Sequence, residues 1–359
     1  DYVKWFNANR PAEVGREDHG IDWNSWMSRS WHLPEYLHPT AWTAQESIRF
    51  LKRRDPTKPF FLKTSFARPH SPYDAPPYYF DLYDKKEIPE AQIGEWAQVH
   101  DVPKDATDPN AWHGKRKDEE IRRARVSYYG NISFIDHQIG CILRELRKCQ
   151  QLDNTVIIFS SDHGDMMGDN NLWRKTYAYE GSAHVPFIVW LPKEMREKIQ
   201  ERSGAPVCLQ DIMPTILDAC GVEIPDTVDG KSVLPLVRGE DTDWRQYVHG
   251  EHTAAYSPTN EMQYLTDGNW KYIWLPRTNQ EQLFDLKTDR YETRDLAADP
   301  QYQDELVKWR NRLIAVLEPR NAGLVEDGKL VCQVDKGPIV SPHYQERIER
   351  MREKMGLED

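Results

Sequence analysis

Two short runs constrain this chain more than anything else in it. Thr155-Val156-Ile157-Ile158-Phe159 and Phe187-Ile188-Val189-Trp190-Leu191 are apolar at almost every position. A strand with one wet face alternates polar and apolar residues. A strand apolar on both faces belongs to a sheet covered on both sides. Lys58-Pro59-Phe60-Phe61-Leu62-Lys63-Thr64-Ser65-Phe66 reads as another buried strand, closed by the prolines of Arg68-Pro69-His70-Ser71-Pro72-Tyr73. Proline cannot donate to a ladder, so His70 is expected on a stiff loop at a strand end.

Helical spacing fills the intervals. Tyr128, Ile132, Ile135, Ile139, Ile142 and Leu146 recur every three or four residues and predict a long helix over 118–149. Ala44, Ile48 and Leu51 predict one over 43–54, and Ile212, Ile216 and Leu217 one over 209–220. The expected fold class is α/β, with a mixed, mostly parallel sheet sandwiched by helices.

The texture changes near Asp243. Gln263–Leu265, Lys271–Leu275 and Gln282–Leu286 read as short strands, and Asp267-Gly268 favours a tight turn between antiparallel neighbours. Leu306, Trp309, Leu313 and Leu317 mark a helix over 302–317. The expected organisation is therefore a larger α/β domain over 1–243 and a smaller C-terminal α+β subdomain of antiparallel sheet plus helix over 244–320. A tail over 321–359 ends in a charged, solvated helix.

Composition removes several function classes. Lysine and arginine total 47 against 58 aspartate and glutamate, a net charge of −11, so no basic face is on offer to nucleic acid. No run of about 18 apolar residues exists, so no transmembrane helix is expected. The five cysteines form neither a disulfide framework nor a Cys-x-x-Cys zinc pair. A homo-oligomer is compatible with the sequence.

The strongest chemical signal is Ser161-Asp162-His163-Gly164, just past a buried strand, where open α/β sheets bind ligands. A carboxylate beside an imidazole offers two metal-binding groups. Read alone, the same four residues are equally a capped turn with a surface histidine. The following block, Trp173-Arg174-Lys175-Thr176-Tyr177-Ala178-Tyr179-Glu180-Gly181-Ser182-Ala183-His184-Val185-Pro186, shifts the balance. With the His70 loop and Gln263-Tyr264-Leu265-Thr266-Asp267-Gly268-Asn269-Trp270-Lys271-Tyr272-Ile273, it resembles the type I sulfatase family of the alkaline-phosphatase superfamily.

That resemblance implies roles. Asp162 and His163 match the family's late pair of metal ligands. The divalent metal is usually Ca²⁺, and the imidazole keeps Mg²⁺, Mn²⁺ and Zn²⁺ open. Lys175 matches the lysine that contacts sulfate, and His70 the histidine beside the leaving oxygen. Glu180 is expected to hold its loop or Arg174 rather than react. His113, His252 and Arg277 are weaker candidates for contacts to a substrate carboxylate or hydroxyl. Trp23, Trp26, Trp31, Trp42, Trp96 and Trp112 offer stacking faces for sugar rings, or else pack beneath long loops. The implied substrate is a sulfated saccharide or an aryl sulfate ester.

The family's nucleophile is formylglycine, made from Cys or Ser in Cys/Ser-x-Pro-x-Arg. None of Cys141, Cys149, Cys208, Cys220 and Cys332 opens that motif, and no Ser does. The family's early Asp-Asp metal pair also has no counterpart. The expectation is a C-terminal portion of a sulfatase, inactive alone, with the formylglycine segment upstream of Asp1. A periplasmic or secreted location is implied by the resemblance alone. Two other readings stay open: a phosphodiesterase or phosphonate hydrolase of the same superfamily, and a non-catalytic glycan-binding remnant.

Overall fold

The computed structural model describes residues 1–102, 108–196, 199–240, 242–253, 255–257, 259–334, 349–350 and 352–353. The chain forms two compact units. The first comprises Asp1–Lys175, Tyr179–Gln246 and Thr288–Arg294; the second comprises Thr176–Ala178, Tyr247–Lys287 and Asp295–Asp359.

In the first unit the helices are α1 (Tyr2–Asn9), α2 (Pro39–Arg53), α3 (Pro77–Asp84), α4 (Asp118–Lys148), α5 (Glu180–Ala183), α6 (Ile212–Ala219) and α7 (Leu234–Val237). The helix α4 is the spine. Its first turn is acidic, and Glu120 accepts a hydrogen bond from the Lys117 N–H at 3.0 Å, which satisfies a donor the helix leaves unpaired. Ile142 and Leu146 pack on Ala44 and Leu51 of α2. Phe134 packs on Ala41 and Tyr79, and Val126 on Ala75 and Phe80, so α2 and α3 both lie against α4. Gly130 makes the α3 contact close: a Cβ there would sit 2.9 Å from the Tyr79 carbonyl oxygen. Each buried aliphatic or phenyl group in these contacts contributes about 1.5–3 kcal/mol.

The strands β1 (Ile157–Ser160) and β2 (Phe187–Trp190) pair antiparallel, with Ile157 opposite Trp190. A mostly parallel sheet was the expectation. The connection from Ser161 to Pro186 is loop with a 3-10 turn at Asp169–Asn171 and one four-residue helix, and it lacks the long helix by which a parallel return usually crosses the sheet. Residues 58–66 also differ from expectation. They are extended and bury alternate side chains, Phe60, Leu62 and Phe66, on the α2–α4 cluster. Among the described residues no strand pairs with them, and Phe61 is 72% exposed. One face buried on helices is enough to hold an extended segment, but a ladder needs a neighbour. A cavity of about 1680 Å³ runs along this segment, α4 and β1 as far as Asp162 and His163.

In the second unit, β3 (Val248–His252), β4 (Met262–Thr266), β5 (Trp270–Leu275) and β6 (Gln280–Asp285) form one antiparallel sheet in that order. The β4–β5 turn is the Asp-Gly turn expected: Gly268 has φ +83°, and Asp267 Oδ1 accepts from the Asn269 and Trp270 N–H groups. The helix α8 (Gln303–Leu317) lays Leu306, Trp309, Leu313 and Leu317 on Leu265, Tyr272, Trp274 and Leu283. Leu324 joins that core and the short strands β7 (Val325–Glu326) and β8 (Lys329–Leu330) pair beyond it. The stretch from 321 is thus packed as far as these strands rather than a free tail. Most of the expected charged helix near 345–351 lies outside the described residues. Among the described residues, no helix is long and apolar enough to cross a membrane.

The α/β class and the smaller C-terminal antiparallel sheet with its helix stand.

Candidate active site

Two loops of the first unit carry the candidate residues His70, Asp162, His163 and Lys175. Residues 68–74 follow the extended segment and lead into α3; residues 161–175 follow β1. The first loop is closed at its base. Arg68 Nε and Nη2 donate to the two carboxylate oxygens of Asp74 at 2.6 and 2.7 Å, and both side chains are buried. Burial alone would raise the Asp74 carboxyl, but the Arg68 guanidinium, with the His19 and His38 rings close by, holds it well below the usual carboxylate range.

The second loop is tied to the first by a half-buried aspartate, Asp165. Asp165 Oδ2 accepts from the Tyr73 hydroxyl at 2.8 Å, and Oδ1 accepts from the Met167 and Arg174 N–H groups. Burial raises its carboxyl above the usual range, against those hydrogen bonds. Tyr73, Trp173, Met167 and Trp26 close around the junction with Ala124 of α4. Lys175 stands between two residues of left-handed backbone, Arg174 at φ +70° and Thr176 at φ +81°. Such conformations cost about 1–3 kcal/mol each in residues with side chains and persist where the surroundings enforce them.

These ties bring Lys175 and His70 together. Lys175 Nζ lies 2.6 Å from His70 Nε2, and His70 Nδ1 lies 2.8 Å from the Ser71 carbonyl oxygen. A carbonyl only accepts, so Nδ1 carries the proton and the Nε2 lone pair accepts from the Lys175 ammonium. Burial pushes His70 down to about 4, reinforced by the Lys175 charge and opposed by the Ser71 carbonyl. Burial also lowers Lys175. At neutral pH His70 is therefore a neutral imidazole whose Nε2 lone pair faces Lys175 Nζ.

Asp162 and His163 lie beside it. The His163 ring meets the His70 ring edge-on, with centroids 5.8 Å apart. His163 Nδ1 is 2.7 Å from the Gly164 carbonyl oxygen, so it carries the proton and leaves an Nε2 lone pair. That nitrogen is 3.8 Å from Asp162 Oδ1, and the Asp162 side chain is exposed. One carboxylate oxygen and one imidazole nitrogen suit a divalent cation. Among the described residues no cluster of three or more His, Cys, Asp and Glu forms, so these two supply only part of the ~6–8 ligands that Ca²⁺ takes.

The other candidates are held by contacts of their own. His113 sits where residues 112–113 meet 172–173: Trp173 N–H donates to the Trp112 carbonyl, and His113 Nδ1 is 3.1 Å from the His100 carbonyl oxygen. His252 ends β3 in the second unit. Arg277, also in the second unit, is buried: Nε donates to Glu261 at 2.6 Å and Nη1 to the Gln333 carbonyl at 2.9 Å. Glu180 faces His184 Nδ1 at 2.6 Å. Sequence reasoning did not single out Asp165, Tyr73, Arg68 or Asp74. Asp165 follows Gly164 directly, and that adjacency was the one signal available for it.

Comparison with known proteins bears on all of this. The model of the family described as Sulfatase matches residues 2–222, and that described as N-sulphoglucosamine sulphohydrolase, C-terminal, matches residues 168–318. An arylsulfatase of Clostridium perfringens (strain 13 / Type A) is 42% identical over 332 residues, covering 92% of this chain and 68% of its own length. A choline-sulfatase of Rhizobium meliloti (strain 1021) is 31% identical over 284 residues, 74% of this chain and 52% of the relative. The crystal structure of a phosphonate monoester hydrolase of Agrobacterium radiobacter superimposes with a TM-score of 0.72 at 25% identity, covering 95% of this chain and 72% of that one. The chain therefore spans between half and about two thirds of these curated relatives. With the sulfatase model matched across most of its first unit and a 42% identical arylsulfatase matched along nearly all of it, the chain belongs to the sulfatase family.

Proposed function

We propose that this chain forms part of a sulfuric ester hydrolase that removes sulfate from a sulfated saccharide or an aryl sulfate. The observation that carries the reading is the Lys175–His70 pair, 2.6 Å apart and beside the Asp162–His163 turn. A sulfate monoester is a compact anion whose charge shifts to the leaving oxygen as the S–O bond breaks. A partly buried ammonium, fixed by an imidazole rather than neutralised by a carboxylate, is placed to meet that charge. In this reading a sulfuryl oxygen takes over the Lys175 hydrogen bond, and His70 Nε2, which carries no proton in the pair, serves the leaving oxygen only after taking one up. The net charge of −11 is no obstacle, because a local cationic cluster sets the field a small anion meets.

Asp162 and His163 would hold part of the shell of a divalent cation, Ca²⁺ in this reading. Such an ion, when bound, supplies Lewis-acid polarisation of the sulfuryl oxygens. The nucleophile in this reading is a formylglycine contributed by residues outside these 359, which hold no Cys/Ser-x-Pro-x-Arg motif.

A phosphonate or phosphodiester hydrolase is the second reading, favoured by the likeness to the Agrobacterium radiobacter hydrolase. Both are tested by assaying the complete gene product, with Ca²⁺, on 4-nitrophenyl sulfate and on the phenylphosphonate monoester of 4-nitrophenol. Preferential hydrolysis of the sulfate supports the first, and of the phosphonate the second. Sulfate binding without any turnover supports a non-catalytic role.

A further inference from the structure

We propose that Trp23 is a specificity-determining residue of this site, whose exposed indole face takes the ring of a sulfated alcohol. The inference rests on the sulfate-ester reading above and assigns recognition of the ring of its alcohol, aromatic or pyranose, to one residue.

The six tryptophans in irregular segments separate cleanly in the structure. Trp26 and Trp31 are buried in the core, and Trp42, Trp96 and Trp112 are half-buried. Trp23 is 53% exposed. It is also the one of the six stacked on the His70 ring: the centroids are 4.5 Å apart and the planes 19° from parallel. A stack of this kind uses one indole face and leaves the other to solvent, directly beside the imidazole that contacts Lys175.

The indole is held there by its backbone. Ile21 on one side and Ser25 and Trp26 on the other are buried. Asp22 Oδ1 accepts from the Trp23 N–H at 2.7 Å, the Ser25 N–H donates to the Asp22 carbonyl, and Asn24 takes φ +72°. A tight turn anchored at both ends projects one large aromatic group outward. A rigid aromatic group of this kind loses little conformational entropy when a flat ring settles on it. The chemistry it would recognise is a ring face, either the π-face of an aryl group or the C–H face of a pyranose. A small alkyl sulfate presents neither.

Binding of four probes to the complete gene product tests this by calorimetry: 4-nitrophenyl sulfate, glucose 6-sulfate, methyl sulfate and inorganic sulfate. The comparison is between the wild type, Trp23→Ala and Trp23→Phe, with kcat and KM measured for the three esters. The expected result is a preference for ring-bearing esters over methyl sulfate that falls about 3- to 10-fold in W23A, through Kd and KM, and returns in W23F. A loss shared equally by all four probes would mean that Trp23 only props His70, and overturns the proposal. So does a wild type that binds methyl sulfate as tightly as the ring esters. Retained loss for the aryl ester alone or the pyranose ester alone supports the proposal and identifies the ring. If no ester is turned over, the hydrolase reading fails while the binding ratio still decides the role of Trp23. If no probe binds, both fail.

Discussion

Arg68 and Asp74 grip each other across the loop that carries His70, with two parallel hydrogen bonds of 2.6 and 2.7 Å in a site sealed from water. The pair is a fork meeting a carboxylate, the most directional ion pair available to side chains. It fixes where the loop leaves the extended segment and where it enters α3. His19 and His38 lie 3.7 and 3.5 Å from the same carboxylate, and burial lowers the His38 imidazole against the pull of Asp74.

Replacing Arg68 with Ala leaves the Asp74 carboxylate buried without its cation. The expected cost is about 3–5 kcal/mol, read as a lower denaturation midpoint with an unchanged slope. Arg68→Lys restores the charge but not the fork, so it is expected to recover only part of the loss.

Tyr73→Phe tests the tie between the two loops. It removes the hydroxyl that donates to Asp165 at 2.8 Å and leaves the Met167 and Arg174 N–H donors in place. The expected cost is about 1–2 kcal/mol of stability. Sulfate affinity should fall with it, because the Lys175 loop loses a fixed distance to the His70 loop. Unchanged affinity measured by calorimetry would show that the second loop holds its shape alone.

Acid should undo a different pair. Asp211 is fully buried, and Arg245 donates to both its oxygens at 2.5 and 2.7 Å. Burial alone would raise this carboxyl, but the Arg245 hydrogen bonds prevail and lower it. A depressed folded-state pKa contributes stability that is complete above the unfolded value of about 3.9 and is lost as pH falls through the folded value. Arg245→Met should therefore be less stable than the wild type at pH 7, and the gap in Tm should narrow below about pH 4. A constant gap down to pH 2 would contradict the assignment.

What could be read from the sequence follows from what a linear pattern encodes. The stripe from Tyr128 to Leu146 gave the long helix, because 3.6-residue spacing is local. It could not say what covers each residue: Ile142 and Leu146 are buried, yet Ile132 is 43% exposed. The strands β4, β5 and β6 were legible from apolar runs around an Asp-Gly turn. The strand β3 was not, because Val248-His249-Gly250-Glu251-His252 has no apolar run and pairs only along β4. Lys175 and His70 were named through a family likeness. Their contact joins residues 105 apart, and no spacing rule spans that distance. Arg68 and Asp74 were not singled out, since burial of an ion pair is a property of what packs over it. The Trp23–His70 stack was invisible for the same reason.

The central claim is that Lys175, placed by His70, meets the charge of a sulfate ester. The direct test is the rate of 4-nitrophenol release from 4-nitrophenyl sulfate by the complete gene product with Ca²⁺, wild type against Lys175→Ala. The account predicts measurable turnover in the wild type and a loss of about 10²–10³ in kcat/KM in the variant, with the fold intact by circular dichroism. A Lys175→Ala enzyme as fast as the wild type would contradict it.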